Sequence, residues 1–325
     1  MKIANMNNQD ILLKAIRKHI AVSASIIEEI AAVLSISYDA AHRRVSQKSK
    51  FSIDETIALC RHYSLSMDLL FTDSTKVIVE KTAEIHSLAD MEAYFRHSAE
   101  NISSFLNYPG AKMYYSAKDI PLFYTIGGTL LSKFKLYVWL NLLAGTQNQD
   151  TFENFTVDQS LLEHNQKLKN VYENVEVNEI WNDTTINSSL QQIYYFFQSG
   201  LLSLANARLL CADLKTILKS AEDRCCNEGS RFNLYYNELL ILNNNVLLSA
   251  PEKQSLFVPY TMLGYFITGD AATCNNTLDF FKRQIKSSKS LNQSGTRDRK
   301  LFFNRALQKI DFYLQKIESE IDLGF

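Results

Sequence analysis

The sequence has few residues that break regular structure and no excess of charge of either sign. Only 10 Gly and 4 Pro occur among 325 residues, which excludes collagen-like and linker-dominated architectures and favours helices over a loop-rich β fold. Because 34 Lys and Arg stand against 35 Asp and Glu, any nucleic-acid binding has to come from a local basic patch. No run of about 18 uninterrupted apolar residues occurs, so no membrane partner is expected.

Cysteine is scarce as well, and its pattern indicates a compartment. The five cysteines are odd in number and form no C-x-x-C pair, which predicts free thiols in a reducing environment. The first 20 residues lack the apolar stretch and cleavage site of a signal peptide. A 46% apolar and 21% charged composition is typical of a globular protein with a core. These features predict a cytoplasmic globular protein.

Motifs of catalysis and cofactor binding are also missing. The sequence contains no G-x-G-x-x-G, no G-x-x-x-x-G-K-[ST], no H-E-x-x-H and no G-x-S-x-G, which are common nucleotide, metal and nucleophile signatures. Among its scattered histidines, only His62 has a close cysteine, Cys60, and two residues at that spacing on a helix point to different faces. We therefore expect no catalytic residue, no metal and no cofactor, and no enzymatic activity.

What is present begins with helical periodicity. Apolar spacing predicts five short helices over residues 9–19, 24–34, 38–46, 53–63 and 67–71. Ser37 is expected to cap the third helix, and Ser52 with Glu55 forms a capping box for the fourth. The polar stretch at residues 72–75 then predicts a boundary between domains 1–75 and 76–325.

The longer second part is expected to be mostly helical. Helical spacing covers residues 83–106, 128–144, 160–173, 184–224, 273–288 and 296–321. Residues 112–126 suit two short strands, and residues 232–248 hold two β-prone runs around three turn-forming asparagines. The apolar pairs Val258-Pro259 and Phe266-Ile267 fit a strand or a buried helix equally. The expected fold class is mainly α (all-alpha), a five-helix domain followed by a larger helical domain with a small β-hairpin.

A family resemblance lies in residues 26–71, IIEEIAAVLSISYDAAHRRVSQKSKFSIDETIALCRHYSLSMDLLF. Ala31 is the small residue that lets two helices approach, Leu34 and Ile36 flank a turn, and Val45 closes the apolar seam. This segment resembles the helix-turn-helix domain of the lambda-repressor/Cro class. That class usually has glycine where this chain has Ser35, and a left-handed backbone there is less favourable for serine.

The resemblance implies a recognition helix over residues 37–46. Such a helix places its first turn against base edges in the major groove, and phosphate contacts hold its register. Residues 36–50 carry four Arg and Lys against one acid, a formal charge of +3. A local positive stripe of this kind suits phosphate binding, although the same residues also fit an ordinary solvated face. The predicted DNA-binding residues are Ser37, Tyr38, Asp39, His42, Arg43, Arg44, Ser46, Lys48 and Lys50.

The expected function is sequence-specific binding of double-stranded DNA by a transcriptional regulator that acts as a homodimer. The layout resembles bacterial one-component regulators, which implies a C-terminal domain that dimerises or senses a small-molecule or protein effector. The alternative is a protein-interaction or scaffold protein whose helix-turn-helix module docks a protein partner. A regulator is expected to prefer its own site by ~10³-fold or more over other DNA.

Overall fold

The chain divides into two compact units, residues 1–78 and 79–325. A computed structural model describes residues 7–21, 23–71, 76–143, 150–157, 159–227, 229–239, 243–293 and 296–322. The predicted domain boundary at residues 72–75 lies outside these ranges.

The described residues of the first unit form five helices, each of which begins and ends within two residues of its predicted bounds. They are α1 (Asn8–Arg17), α2 (Ile26–Leu34), α3 (Tyr38–Val45), α4 (Ile53–His62) and α5 (Met67–Phe71). As the sequence predicts, the Ser37 hydroxyl accepts a hydrogen bond from the Ala40 amide. Ser52 and Glu55 form both bonds of a capping box. The helices enclose a small core in which each large aliphatic side chain contributes roughly 1.5–3 kcal/mol by leaving water; it includes Leu12, Ile16, Ile30, Ala41 and Leu59.

The described residues of the second unit combine helices with eight strands. In chain order they are β1 (Glu80–Lys81), α6 (Leu88–Ser103), β2 (Lys112–Ser116), α7 (Leu130–Leu143), α8 (Gln159–Asn174), β3 (Glu176–Trp181), α9 (Asn187–Gln198), α10 (Leu204–Cys226), β4 (Phe232–Tyr236), β5 (Val246–Ser249), β6 (Gln254–Pro259), β7 (Tyr265–Thr268), α11 (Ala271–Lys286), β8 (Lys289–Ser290) and α12 (Thr296–Asp322).

All eight strands form one mixed sheet in the order β1-β7-β6-β5-β2-β3-β4-β8. The central strands β2, β3 and β4 are parallel, with Tyr114 beside Asn178 and Asn178 beside Asn233. The other neighbours are antiparallel. Parallel strands need long crossovers, and these are supplied by α7 and α8 between β2 and β3 and by α9 and α10 between β3 and β4.

This sheet overturns the expected fold class. The protein is α/β, and the prediction of a mainly α or all-alpha chain with a small hairpin is wrong. The two β-prone runs of residues 232–248 are strands, β4 and β5, but they do not pair with each other: β4 lies between β3 and β8, and β5 lies between β2 and β6. Val258-Pro259 and Phe266-Ile267, which fit a strand or a buried helix equally by sequence, lie in strands β6 and β7. The second strand expected within residues 112–126 is a 3₁₀ turn at Leu122–Tyr124.

The helix expected over residues 184–224 is also corrected, because the chain breaks between α9 and α10. Gly200 follows α9 with φ +70°, a left-handed conformation that glycine adopts without steric cost and that ends a helix. Ser203 then caps α10 by accepting a hydrogen bond from the Asn206 amide at 3.3 Å.

The two faces of the sheet are covered unequally. One face packs against α6, α7, α8, α9, α10 and α12 in the large core. The opposite face has a smaller core in which Cys274 and Phe281 of α11 cover Tyr114, Leu247 and Leu256. This alternation follows from the pleat, since successive side chains of a strand point to opposite faces.

A fully buried carboxyl group lies within the large core. Glu179 of β3 accepts hydrogen bonds from the Tyr172 hydroxyl at 2.8 Å, the Tyr124 hydroxyl at 3.2 Å and the Trp181 indole N–H at 2.9 Å. Burial raises the pKa of Glu179 to about 7, because a low-dielectric environment disfavours the ionised form.

Both edges of the sheet are closed by short pieces of chain. β1 and β8 have two residues each, and neighbouring residues make further hydrogen bonds to the outer backbone of β4 and β7. Asn292 accepts a hydrogen bond from the Leu234 amide at 2.8 Å and donates one to the Phe232 carbonyl at 2.7 Å. On the other edge, Thr82 bonds both the carbonyl and the amide of Tyr265. Within the described ranges, no helix is long and apolar enough to cross a lipid bilayer.

Candidate nucleic-acid interface

A three-residue turn joins α2 to α3. Ser35 ends α2 in the left-handed conformation, with φ 52° and ψ 42°, and the Ile36 amide bonds back to the Ala31 carbonyl at 3.0 Å. Ser37 immediately caps α3. The left-handed conformation of Ser35 thus turns the chain, and α3 begins three residues further on, packed against α2.

One side of α3 is exposed along its whole length. Spacings of three and four residues make side chains neighbours on one side of a helix, and Tyr38 remains 52% exposed there. Arg43 is exposed, and its guanidinium has no polar partner among the residues that the structure describes. The structure brings together on this exposed side the predicted residues Ser37, Tyr38, Asp39, His42, Arg43 and Ser46.

Arg44 is placed differently from the other predicted residues. Its Nε and Nη2 donate to the two carboxylate oxygens of Glu55 at 2.9 and 2.6 Å, and its Nη1 donates to the Ala40 carbonyl at 3.2 Å. This bidentate hydrogen bond lowers the pKa of Glu55 below its usual range. Because Glu55 lies on α4, the guanidinium of Arg44 connects α3 to α4 and is not presented on the exposed side.

The loop after α3 is fastened to the start of α1. The buried Gln9 side chain donates to the carbonyls of Arg44 at 2.7 Å and Ser49 at 3.0 Å, and Gln47 donates to Asp10. These bonds fix the segment that carries Lys48 and Lys50, both exposed. The sequence does not single out Gln9, because a glutamine at a helix start has no pattern that specifies a carbonyl partner 35 residues away.

The electrostatics of the interface follow from these contacts. With Arg44 neutralised by Glu55, three cations remain on the exposed side and its following loop, against the single acid Asp39. A helix face with hydrogen-bonding side chains and flanking lysines can contact base edges and phosphates together.

Other kinds of site find less support in the described ranges. No three His, Cys, Asp or Glu side chains there come together as a metal site. The five cysteines are free thiols, and Cys226 alone is exposed. Comparison of the chain with protein-family models, with curated proteins and with solved structures finds no match.

Proposed function

We propose that this chain is a transcriptional regulator that binds double-stranded DNA by placing α3 in the major groove. The observation that carries the proposal is the exposed side of α3, on a helix that a three-residue turn separates from α2. Arg43 has the donors for a bidentate contact to guanine, which offers two acceptors in the major groove. Lys48 and Lys50, in the loop that follows α3, suit phosphates near that contact. The turn and helix order also fit the resemblance to the lambda-repressor/Cro class.

In this proposal Arg44 is a positioning residue. Its ion pair with Glu55 holds α3 against α4, so the exposed side chains are oriented before DNA arrives. A surface that is already ordered loses less conformational entropy on binding.

We propose further that the regulator binds as a homodimer in the cytoplasm. A module of five short helices offers a limited interface, and such modules commonly read two half-sites about 34–36 Å apart along the duplex. The second unit then provides dimerisation or the response to an effector.

The test is fluorescence anisotropy with DNA from upstream of the chain's own gene. Arg43→Ala is expected to weaken binding by about tenfold or more, the usual effect of losing one base contact. Lys48→Ala is expected to weaken all sequences similarly and to reduce the salt dependence by about one phosphate contact. The charge-matched control is Arg17→Ala, at the end of α1 away from the Gln9 contacts.

Two results would refute the proposal. One is equal affinity of the wild type for its upstream DNA and for scrambled DNA at physiological salt. The other is an Arg43→Ala variant that keeps the wild-type preference. Either result would favour the alternative in which the same face of α3 docks a protein.

A further inference from the structure

A cavity of about 480 Å³ opens in the second unit. It lies where α8 and α10 end and β4 begins, on the amino-terminal side of the parallel strands. Its lining includes three cationic side chains, Lys169, Arg224 and Arg231, and one carboxylate, Glu173. The volume is that of a small-molecule site.

Arg224 is the most constrained of these cations. Its guanidinium carbon lies 3.9 Å from the ring centre of Phe232 and 4.9 Å from that of Tyr172, and Nη1 donates to the Tyr172 hydroxyl at 3.0 Å. A guanidinium has five N–H donors, and the other donors of Arg224 have no acceptor within the described part of the chain. The rings therefore fix the plane of a partly buried cation that still has hydrogen bonds to give.

The charge around Arg224 is not balanced at the cavity. Glu173 lies 3.9 Å from Lys169, and no carboxylate among the described residues contacts Arg224 or Arg231. Glu179 lies behind the Tyr172 hydroxyl, fully buried in the core. An anion in the cavity would meet uncompensated positive charge and a planar donor group, the pairing that guanidinium groups make with carboxylate and phosphate.

Part of the remaining wall is apolar and part is polar, the polar part coming from Thr129, Thr216, Ser220, Asn227 and Ser230. Phe123 stacks on Tyr172 with ring centres 4.7 Å apart, and Ile126, Ile217 and Phe232 continue the surface. Inorganic ions would gain nothing from these groups, whereas an apolar or aromatic body would lose contact with water there.

We infer that this cavity binds a small organic anion, with its carboxylate or phosphate group on Arg224 and its apolar body against Phe123 and Ile217. The inference does not depend on the proposed DNA binding, since all of these residues lie in the second unit.

The test is isothermal titration calorimetry of the full chain with phenyl phosphate and benzoate. At least one of the two is expected to bind, and inorganic phosphate and phenol, which each carry half of the chemistry, are expected to bind at least about tenfold more weakly. Arg224→Gln is expected to weaken binding by about tenfold or more, since a charge-assisted hydrogen bond is lost.

Controls separate the cavity from other basic surfaces. Arg208→Gln removes a cation from the same helix, where it pairs with Glu318, and is expected to bind as the wild type does. Arg43→Ala is expected to do the same, which excludes the exposed side of α3 as the anion site. Should Arg224→Gln fail to fold, Ser220→Phe places a ring in the cavity without removing a charge and is expected to weaken binding by about tenfold or more.

The inference is overturned if neither anion binds at millimolar concentration, or if phenol binds as well as both anions. It is also overturned if Arg224→Gln, or Ser220→Phe in its place, binds with wild-type affinity.

Discussion

At the scale of single residues, Glu179 links the free energy of unfolding to pH. Its pKa in the folded chain is about 7, above the usual value of about 4.3 in an unfolded chain. Between these values the folded state holds a proton that the unfolded state has lost. The stability that this proton provides is therefore complete below about pH 4.3 and is lost as pH rises towards 7.

Glu179→Gln is expected to remove this pH dependence, because the amide stays neutral. The variant should gain stability relative to the wild type between pH 5 and pH 7.5, by about 2 kcal/mol, measured by urea unfolding at both values. Glu176→Gln is the matched control, since it removes a carboxyl from the same strand at a site paired with Lys112. Parallel pH profiles for Glu179→Gln and wild type would contradict the prediction.

Ser35 allows a second test at this scale. A left-handed backbone costs a residue with a Cβ roughly 1–2 kcal/mol, and glycine avoids that cost while losing more entropy on folding. Ser35→Gly is expected to stabilise the first unit by about 0.5–1 kcal/mol, whereas Ser35→Val destabilises it. Thermal unfolding monitored by circular dichroism measures both changes. A Ser35→Gly variant less stable than the wild type would show that the left-handed backbone at Ser35 costs less than the entropy that glycine loses on folding.

The sequence predicts those features of the interface that depend only on residues close together in the chain. Ser37 and the Ser52–Glu55 box are recognisable because a cap acts within four residues. The orientation of the Arg44 side chain is not recognisable from the sequence, because it depends on a carboxylate contributed by the next helix. The sequence shows that residues 36–50 are basic, but it does not show which cation holds the fold and which remain outside.

At the scale of elements, α11 alone covers the second face of the sheet among the described helices. Phe281 is buried against Tyr114, with ring centres 5.7 Å apart, whereas its neighbour Phe280 is 49% exposed. Phe281→Ala is expected to lower the free energy of unfolding by about 3 kcal/mol or more. Phe280→Ala, the matched control, is expected to change it by less than about 0.5 kcal/mol. Equal effects in chemical denaturation would show that α11 does not seal this face.

Strands are also the elements that local sequence predicts least well here. β3 reads Glu-Val-Asn-Glu-Ile-Trp, and its two acids suggest an exposed segment, yet Glu179 is fully buried. Its burial depends on Tyr124 and Tyr172, which lie outside the strand. β4 and β5 have strand composition, but composition does not specify which strands pair. The turn-like asparagines between them predict a hairpin of β4 with β5, and these two strands do not pair with each other.

At the scale of the whole molecule, each unit has a hydrophobic core of its own. Independent cores are expected to unfold as separate cooperative transitions. Differential scanning calorimetry should resolve two peaks. Phe281→Ala is expected to lower the midpoint temperature of one peak, and Ser35→Gly to raise that of the other. A single peak that moves with both variants would show that the units unfold as one.

The closed edges of the sheet restrict how copies of this protein associate. Strands β4 and β7 have much of their outer backbone already engaged by Asn292 and Thr82, and an occupied backbone cannot template a foreign strand. Growth of the sheet into a continuous intermolecular ribbon is thereby discouraged. A stable pair of chains would instead join through helical surfaces, where side-chain shape and not backbone pairing decides which partner fits.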